Sequence, residues 1–479
     1  MRILTSVVLT LLAVMPLNAQ ITKQEYAMRR DSVAARINTG VVIAFGAREP
    51  ADDLANFRQL PGFAYLTGVN EFDAAFVLVA RNGRVQQSVL LLHDRDPRLA
   101  LYNGFLPSSS EVRERYGLEL RTMDRLAPLV DSLTAAGLPL WNVPDVASRD
   151  FLGDTLTRSH RFVEQLRAKH ASVAVKNAQA MLDSLRVRKS PAEIALLRRA
   201  IDVTMQGHEA AMRAVAPGKS EAVAEAEADR TFRLLGDGTA FGGIVGSGPN
   251  STSYHYRANN RTMREGEVVV MDMGAIVDGY TADVTRTIPV SGRFTPDQRR
   301  IYEVVLESQR EAEKVARAGV RVAVGDSVVR AVHAKRLAEL GLIESPDATF
   351  DPPWASNCQR RPLACRQVYL FMAHGLGHGI GLEVHDAGGY SYSPTGTFQV
   401  GEVFTIEPGI YISTRLLDML PDTPKNRAFI AKVKSTVERY NNIGVRIEDD
   451  YLITPTGLEH LSKGPREVRE IEALMTRTN

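Results

Sequence analysis

His374-Gly-Leu-Gly-His378-Gly-Ile-Gly-Leu-Glu-Val-His385-Asp386 holds three of the chain's ten histidines within twelve residues, spaced among glycines. Imidazoles gathered on a glycine-rich backbone point to a metal centre or an acid/base site. A lone histidine there would read as an incidental turn residue, but three in a chain poor in His do not. A dinucleotide site is excluded, because Gly375-Leu-Gly377-His378-Gly379-Ile380 lacks glycine at the sixth position of GxGxxG and no clear βαβ unit with a following acid surrounds it. No G-x-S-x-G elbow marks a serine hydrolase either.

Outward from this stretch, the apolar runs Val268–Met271, Val403–Ile406 and Val445–Ile447 read as buried strands, and each is followed by an acid: Asp272, Glu407 and Glu448. Asp283 comes after Gly279-Tyr-Thr-Ala. A carboxylate in an apolar strand is costly unless its charge is paired or bound, which is the physical reason to collect these acids into one site. Four carboxylates and one imidazole suit two hard or borderline divalent ions, formal charge −4 balancing +4. Two such ions about 3.5–4 Å apart can share a hydroxide and polarise a carbonyl, the chemistry of amide or ester hydrolysis. The remaining histidines would donate to the developing oxyanion.

Strand-like runs at Val41–Phe45, Ala74–Val79 and Val89–Leu92 alternate with helical segments up to about Asp183, which indicates an α/β domain. A second unit opens at Ser190-Pro191-Ala192-Glu193, where Ser caps, Pro takes the first helical position and Glu can close a capping box. Thr295-Pro296 starts another helix. The expected units are therefore 20–183 and 184–479. A long segment from Leu342 to Val368 contains Pro346, Pro352, Pro353, Pro362 and both cysteines, Cys358 and Cys365. Segments of that length are commonly functional, and a lid over the site is the expectation. The two cysteines read equally as a disulfide or as free thiols.

Composition bounds the rest. With 479 residues, 44% hydrophobic and 24% charged, the chain can bury a sizeable core. Lys+Arg 58 against Asp+Glu 56 gives a net charge of +2 and no local run of like charge, so nucleic acid is not expected as a partner. Arg2, the apolar stretch Ile3 to Leu17 and the small-residue ending at Ala19 form a secretory signal pattern over 1–19, so an exported, periplasmic or extracellular protein is expected. No later run reaches the ~20 apolar residues of a membrane span.

Asp272 in Met271-Asp-Met-Gly274, Asp283 in Gly279-Tyr-Thr-Ala-Asp283-Val-Thr-Arg-Thr287, His378 in His-Gly-Leu-Gly-His, Glu407 in Ile-Glu-Pro-Gly-Ile-Tyr411 and Glu448 in Val-Arg-Ile-Glu-Asp-Asp450 resemble, in order and type, the ligands of the aminopeptidase P and prolidase family of pita-bread metallopeptidases. Phe57-Arg58-Gln59 and Phe63-Ala-Tyr65-Leu-Thr-Gly68 resemble the family's N-terminal domain. The resemblance implies an α/β (α+β) chain: a creatinase/aminopeptidase P-type α/β domain followed by a pita-bread catalytic domain. It implies that Asp272 binds one metal, that Asp283 and Glu448 bridge two, and that His378 and Glu407 complete the other, with Glu407 also taking the proton of the attacking water. His255 and His385 would be catalytic, His374 would border the pocket for the substrate proline, and Tyr411 and Arg446 would support it. Two divalent ions are implied, manganese first, with zinc or cobalt as alternatives, and the relatives are commonly dimers or tetramers.

Within the family the choice lies between an Xaa-Pro aminopeptidase and an Xaa-Pro dipeptidase (prolidase). The long gap from Glu407 to Glu448 and the segment after Tyr411 are similar to prolidases. The prolidases it resembles, however, place an arginine shortly before the Glu407 position to hold the dipeptide's free carboxylate, and from His385 to Glu407 this chain has neither Arg nor Lys. A dipeptidase needs a cation at that end, whereas an aminopeptidase leaves it open. The expected activity is therefore release of the first residue from peptides with proline second. A catalytically inactive, binding-only relative stands behind both.

Overall fold

Two apolar strands that are buried along almost their whole length set the N-terminal architecture. In β1 (Gly40–Phe45) every residue is buried, and in β2 (Ala75–Arg81) every residue but Arg81, so both faces of the sheet must be covered. They pair antiparallel at the centre of a six-stranded mixed sheet of order β4-β3-β2-β1-β5-β6, with β3 Arg84–Leu92, β4 Glu119–Thr122, β5 Leu140–Asn142 and β6 Val175–Asn177. Because side chains alternate along a strand, Val42, Ala44, Phe76 and Leu78 pack with α1 (Lys23–Ile37), α2 (Pro61–Thr67), α4 (Ser109–Tyr116) and α7 (Gln179–Arg186) on one face. Val41, Ile43 and Val77 pack with α5 (Leu126–Ala135) and α6 (Arg158–Lys169) on the other. A short helix α3 (Pro97–Asn103) lies between β3 and α4. The result is the α/β domain expected.

This is a computed structural model, and it describes residues 20–50, 57–94, 96–148, 152–354, 356–360 and 362–476; the expected leader at 1–19 lies outside the described residues. No helix among them is long and apolar enough to cross a membrane.

The second half opens on α8 (Pro191–Ala214) through the capping box read from sequence: Glu193 N–H donates to Ser190 Oγ at 3.1 Å, and Ser190 N–H to Glu193 Oε2 at 2.9 Å. Helices α9 (Glu221–Leu235), α10 (Pro296–Val315), α11 (Ala323–Glu339), α12 (Arg415–Asp418), α13 (Pro424–Arg439) and α14 (Val468–Thr476) are interleaved with strands that are antiparallel throughout. β8 (Val268–Met273) lies between β7 (Ile244–Ser247) and β11 (Val284–Pro289); β9 (Ile276–Val277) and β10 (Tyr280–Thr281) form the short ribbon joining β8 to β11. β15 (Asp449–Thr454) lies between β12 (Val403–Ile406) and β16 (Gly457–His460), and β13 (Gly409–Ile412) pairs with β14 (Ile443–Arg446). A backbone bridge from Thr285 to Glu448 links β11 to the segment between β14 and β15.

The segment from Leu342 to Val368 is tied down. Asp351 and Asn426 of α13 exchange two 2.9 Å hydrogen bonds, Glu344 pairs with Lys432, and Phe350 is fully buried. Among the described residues its side-chain polar contacts outside the segment run to α13 and its cap, and Cys358 and Cys365 are joined in a disulfide with Cα atoms 5.7 Å apart.

Candidate metal centre

The strand ends deliver the acids. Asp272 is the fifth residue of β8 and pairs with Thr285 across the ladder; Asp283 immediately precedes β11; Glu407 follows β12; Glu448 lies between β14 and β15. His378 comes from the loop before β12, held by its own carbonyl accepting from Thr405 N–H at 2.9 Å. Gly377 makes that approach feasible: its φ is +156°, and a Cβ there would lie 2.2 Å from the Thr405 carbonyl oxygen.

His378 Nε2 stands 3.5 Å from Asp283 Oδ2, 3.6 Å from Glu407 Oε1 and 3.9 Å from Glu448 Oε1. Its Nδ1 faces the Gly379 carbonyl oxygen at 3.1 Å, and since a carbonyl only accepts, Nδ1 carries the proton and Nε2 presents a lone pair. Burial also pushes the imidazole down to about 3, which keeps it neutral. Asp272 Oδ1, Asp283 Oδ1 and Glu448 Oε1 are buried acceptors without a hydrogen-bond donor. Burial and mutual repulsion push Asp283 and Glu448 well above the usual carboxylate range; burial likewise moves Glu407 up to about 8, against the pull of Arg446. A neutral imidazole lone pair and orphaned oxygens converging on one point fit divalent cations, and Asp283, His378 and Glu448 already bring ligand atoms within 4.8 Å of one another.

Around the acids the polar groups are ordered in series. Arg446 Nη2 donates to Asp272 Oδ2, its Nε to Thr285 Oγ1 at 3.1 Å and its Nη1 to Tyr411 Oη at 3.0 Å. Thr285 Oγ1 donates in turn to Glu448 Oε2 at 2.7 Å. Burial holds His374 down to about 3, and its Nδ1 donates to the Gly375 carbonyl at 2.7 Å, so the Tyr411 hydroxyl must be the donor to His374 Nε2 at 2.9 Å. Arg286, fully buried behind the acids, donates to the Glu448 carbonyl at 2.7 Å and pairs with Asp449 at 2.6 Å.

Of the residues picked from sequence, Asp272, Asp283, His378, Glu407 and Glu448 converge, with Arg446, Tyr411 and His374 adjoining them. His385 is half-buried with its ring centroid 4.3 Å from that of His378. His255 is exposed, near enough to His374 to lower the latter's basicity. Sequence reasoning missed Tyr254, whose ring lies 5.1 Å from His374 and 4.5 Å from Tyr411 and whose hydroxyl accepts from Ala373 N–H at 3.1 Å. It also missed Thr285; its place two residues after Asp283 was the available signal.

A buried carboxylate cluster gathered from antiparallel strands, with a histidine whose lone pair faces it, defines a metal-dependent hydrolase. The model of metallopeptidase family M24 matches residues 195–455, and that of the aminopeptidase P N-terminal domain matches residues 26–138. The Xaa-Pro aminopeptidases of Haemophilus influenzae and Escherichia coli are 32% and 31% identical to this chain, each covering 95% of it and 98% of the relative. The solved structure of aminopeptidase P from Escherichia coli with the inhibitor Pro-Leu superposes with a TM-score of 0.76 at 29% identity, covering 96% of this chain and 99% of that one. This chain belongs to metallopeptidase family M24 and carries the aminopeptidase P N-terminal domain.

Proposed function

We propose that this protein is an exported Xaa-Pro aminopeptidase that uses two divalent ions, most simply manganese, to release the first residue of peptides with proline second. The observation that carries the reading is the juxtaposition of the preset His378 and its four acids with the ring wall of Tyr254, His374 and Tyr411, where His374 Nδ1 lies 4.0 Å from Glu407 Oε2. Relatives that this chain matches along nearly their whole length bear the same activity in their names. A proline nitrogen carries no hydrogen, so a site shaped around the ring selects a bond most peptidases handle poorly.

Asp272, Asp283, His378, Glu407 and Glu448 would hold the ions, which supply Lewis acidity at the scissile carbonyl and at the attacking water. Glu407, beside His378, is placed to take the water's proton and return it to the leaving nitrogen. His385 donates toward the developing oxyanion, and Arg446 fixes Asp272 while its contact with Tyr411 sets the His374 ring. Export is supported by the 1–19 pattern together with a disulfide, which persists in oxidising compartments. Assembly into dimers or tetramers is proposed on the resemblance alone.

The test compares Ala-Pro with Ala-Pro-Pro as substrates under added manganese or zinc. Release of alanine from the tripeptide, abolished by chelator and restored by metal, is expected; cleavage of the dipeptide alone would make the protein a prolidase instead.

A further inference from the structure

Four charged side chains lie buried together on the far side of the histidine loop, at the junction of the two domains. Arg186, the last residue of α7, places Nη2 2.7 Å from Glu383 Oε2 and 2.8 Å from Asp386 Oδ1. Lys189, three residues on, donates from Nζ to the Arg186 carbonyl at 2.7 Å and stands 3.5 Å from Asp386 Oδ2. All four side chains are at most 5% exposed. Two cations and two anions balance, but burying them still carries a desolvation penalty that packed apolar groups of the same volume would avoid, so cohesion between domains is a poor reason for this cluster.

Its geometry supplies a better one. Glu383 and Asp386 flank His385, two residues before it and one after, and a single guanidinium binds both. The loop's two ends are fixed otherwise: Gly379 and Asp386 form a backbone bridge, and Thr281 donates from Oγ1 to the Gly381 and Glu383 carbonyls at 3.1 Å. Gly381 admits the Asp386 carboxylate, which would lie 1.9 Å from a Cβ at that position. His378 is held through Thr405 and through the Gly379 carbonyl, which also accepts from Asp386 N–H at 2.8 Å. The cluster thus grips the side chains that flank His385, and it reaches His378 through the Asp386–Gly379 backbone bond.

We propose that Arg186, backed by Lys189, is a positioning residue for His385: by gripping the side chains on either side of it, the segment joining the domains sets the direction of that imidazole toward the reacting carbonyl. The inference rests on the peptidase reading above, and it makes the interdomain segment a determinant of turnover rather than of substrate or metal binding. Geometry set this way matters because small displacements of a catalytic group cost rate steeply.

The experiment is a double-mutant cycle on the metal-loaded full chain, Arg186→Met against His385→Ala, with Ala-Pro-Pro as substrate and metal content measured on each variant. Arg186→Met is expected to lower kcat at least tenfold with KM and metal content within about twofold, and to lower turnover little further in the His385→Ala background. A crystal structure of Arg186→Met should show the His385 ring displaced from its 4.3 Å approach to His378. Should Arg186→Met fail to fold, Glu383→Gln, which keeps the Asp386 pair, is carried through the same measurements with a smaller loss of the same pattern. Equal fold-losses in both backgrounds, metal loss in parallel with activity, or an unmoved His385 ring would overturn the inference. Normal turnover in the variants would sink it alone, whereas no Xaa-Pro cleavage by the unsubstituted protein would sink the peptidase reading.

Discussion

Thr285 Oγ1 serves two sides of the centre at once, donating to Glu448 and accepting from Arg446. Groups that orient ligands typically set metal affinity by about 10–100-fold, so Thr285→Val should weaken metal binding by that order, measured by chelator competition; unchanged affinity would show that Glu448 is oriented otherwise. Direct removal acts harder: Asp283→Asn or Glu448→Gln should abolish turnover while the circular dichroism spectrum is kept, and near-normal turnover in either would remove the two-metal assignment. The five converging residues were legible because an acid after an apolar run is expensive and a histidine among glycines is rare. Tyr254 was not, since a tyrosine in such a context reads equally well as packing, and Thr285 offered only its place two residues after Asp283. A third residue makes a pH argument away from the acids. Burial, with Arg330 and His374 nearby, holds His333 down to about 3 while its Nε2 lies 2.9 Å from Ser308 Oγ. Its folded value lies below the unfolded ~6.5, so the unfolded chain binds more protons between the two and stability falls as pH drops through that window, by roughly 1 kcal/mol per unit. His333→Gln should flatten urea-denaturation stability between pH 6.5 and 4.5 by that slope; an unchanged slope would mean that other groups carry the acid sensitivity.

Elements were legible where burial is two-sided or a cap is explicit. β1, β2, β8 and β12 appear where continuous apolar runs placed them, and α8 and α10 begin at Ser190-Pro191 and Thr295-Pro296. The short ribbon of β9 and β10 was overlooked although its signal is in the sequence: Asp278-Gly279, with φ 48° and 81°, is the Asp-Gly pair of a two-residue hairpin turn. The proline-rich segment read as a lid packs instead against α13 through Asp351, Asn426 and the Glu344–Lys432 pair. Its disulfide closes a loop with a sequence separation of only 7, so the constraint on the unfolded chain is modest, about 2 kcal/mol. A Cys358→Ser, Cys365→Ser double variant should therefore melt a few degrees lower with KM unchanged. A several-fold change in KM at unchanged melting would restore the lid reading.

At the scale of the molecule, a second set of buried charges crosses the junction of the two domains. Arg29 of α1 pairs with Glu25 at 2.7 Å and reaches across to Glu193 of α8 at 3.2 Å and to Tyr280 Oη at 3.3 Å, stacking 4.4 Å over Tyr65. Tyr280 donates to Glu193 at 3.0 Å, so the guanidinium and the phenol together satisfy a carboxylate that is only 5% exposed. Arg58 adds a 2.8 Å bond to the Ala240 carbonyl. Sequence spacing revealed two units but could not reveal this junction, because Arg29 and Glu193 are far apart in the chain and each alone reads as a solvated helix charge. Removing one member of such a buried pair leaves the other charge uncompensated and costs about 3–5 kcal/mol, here levied on the interface and not on either core. Arg29→Ala should therefore uncouple the domains: calorimetry of the metal-loaded protein should show the N-terminal domain melting ahead of the catalytic domain, with added metal raising only the later transition. Restoring Glu193 to neutrality in Arg29→Ala, Glu193→Gln should recover much of the coupling, because the phenol can still bond the amide. A single transition in Arg29→Ala, moved by no more than about a degree, would place the strength of the junction in its apolar contacts instead.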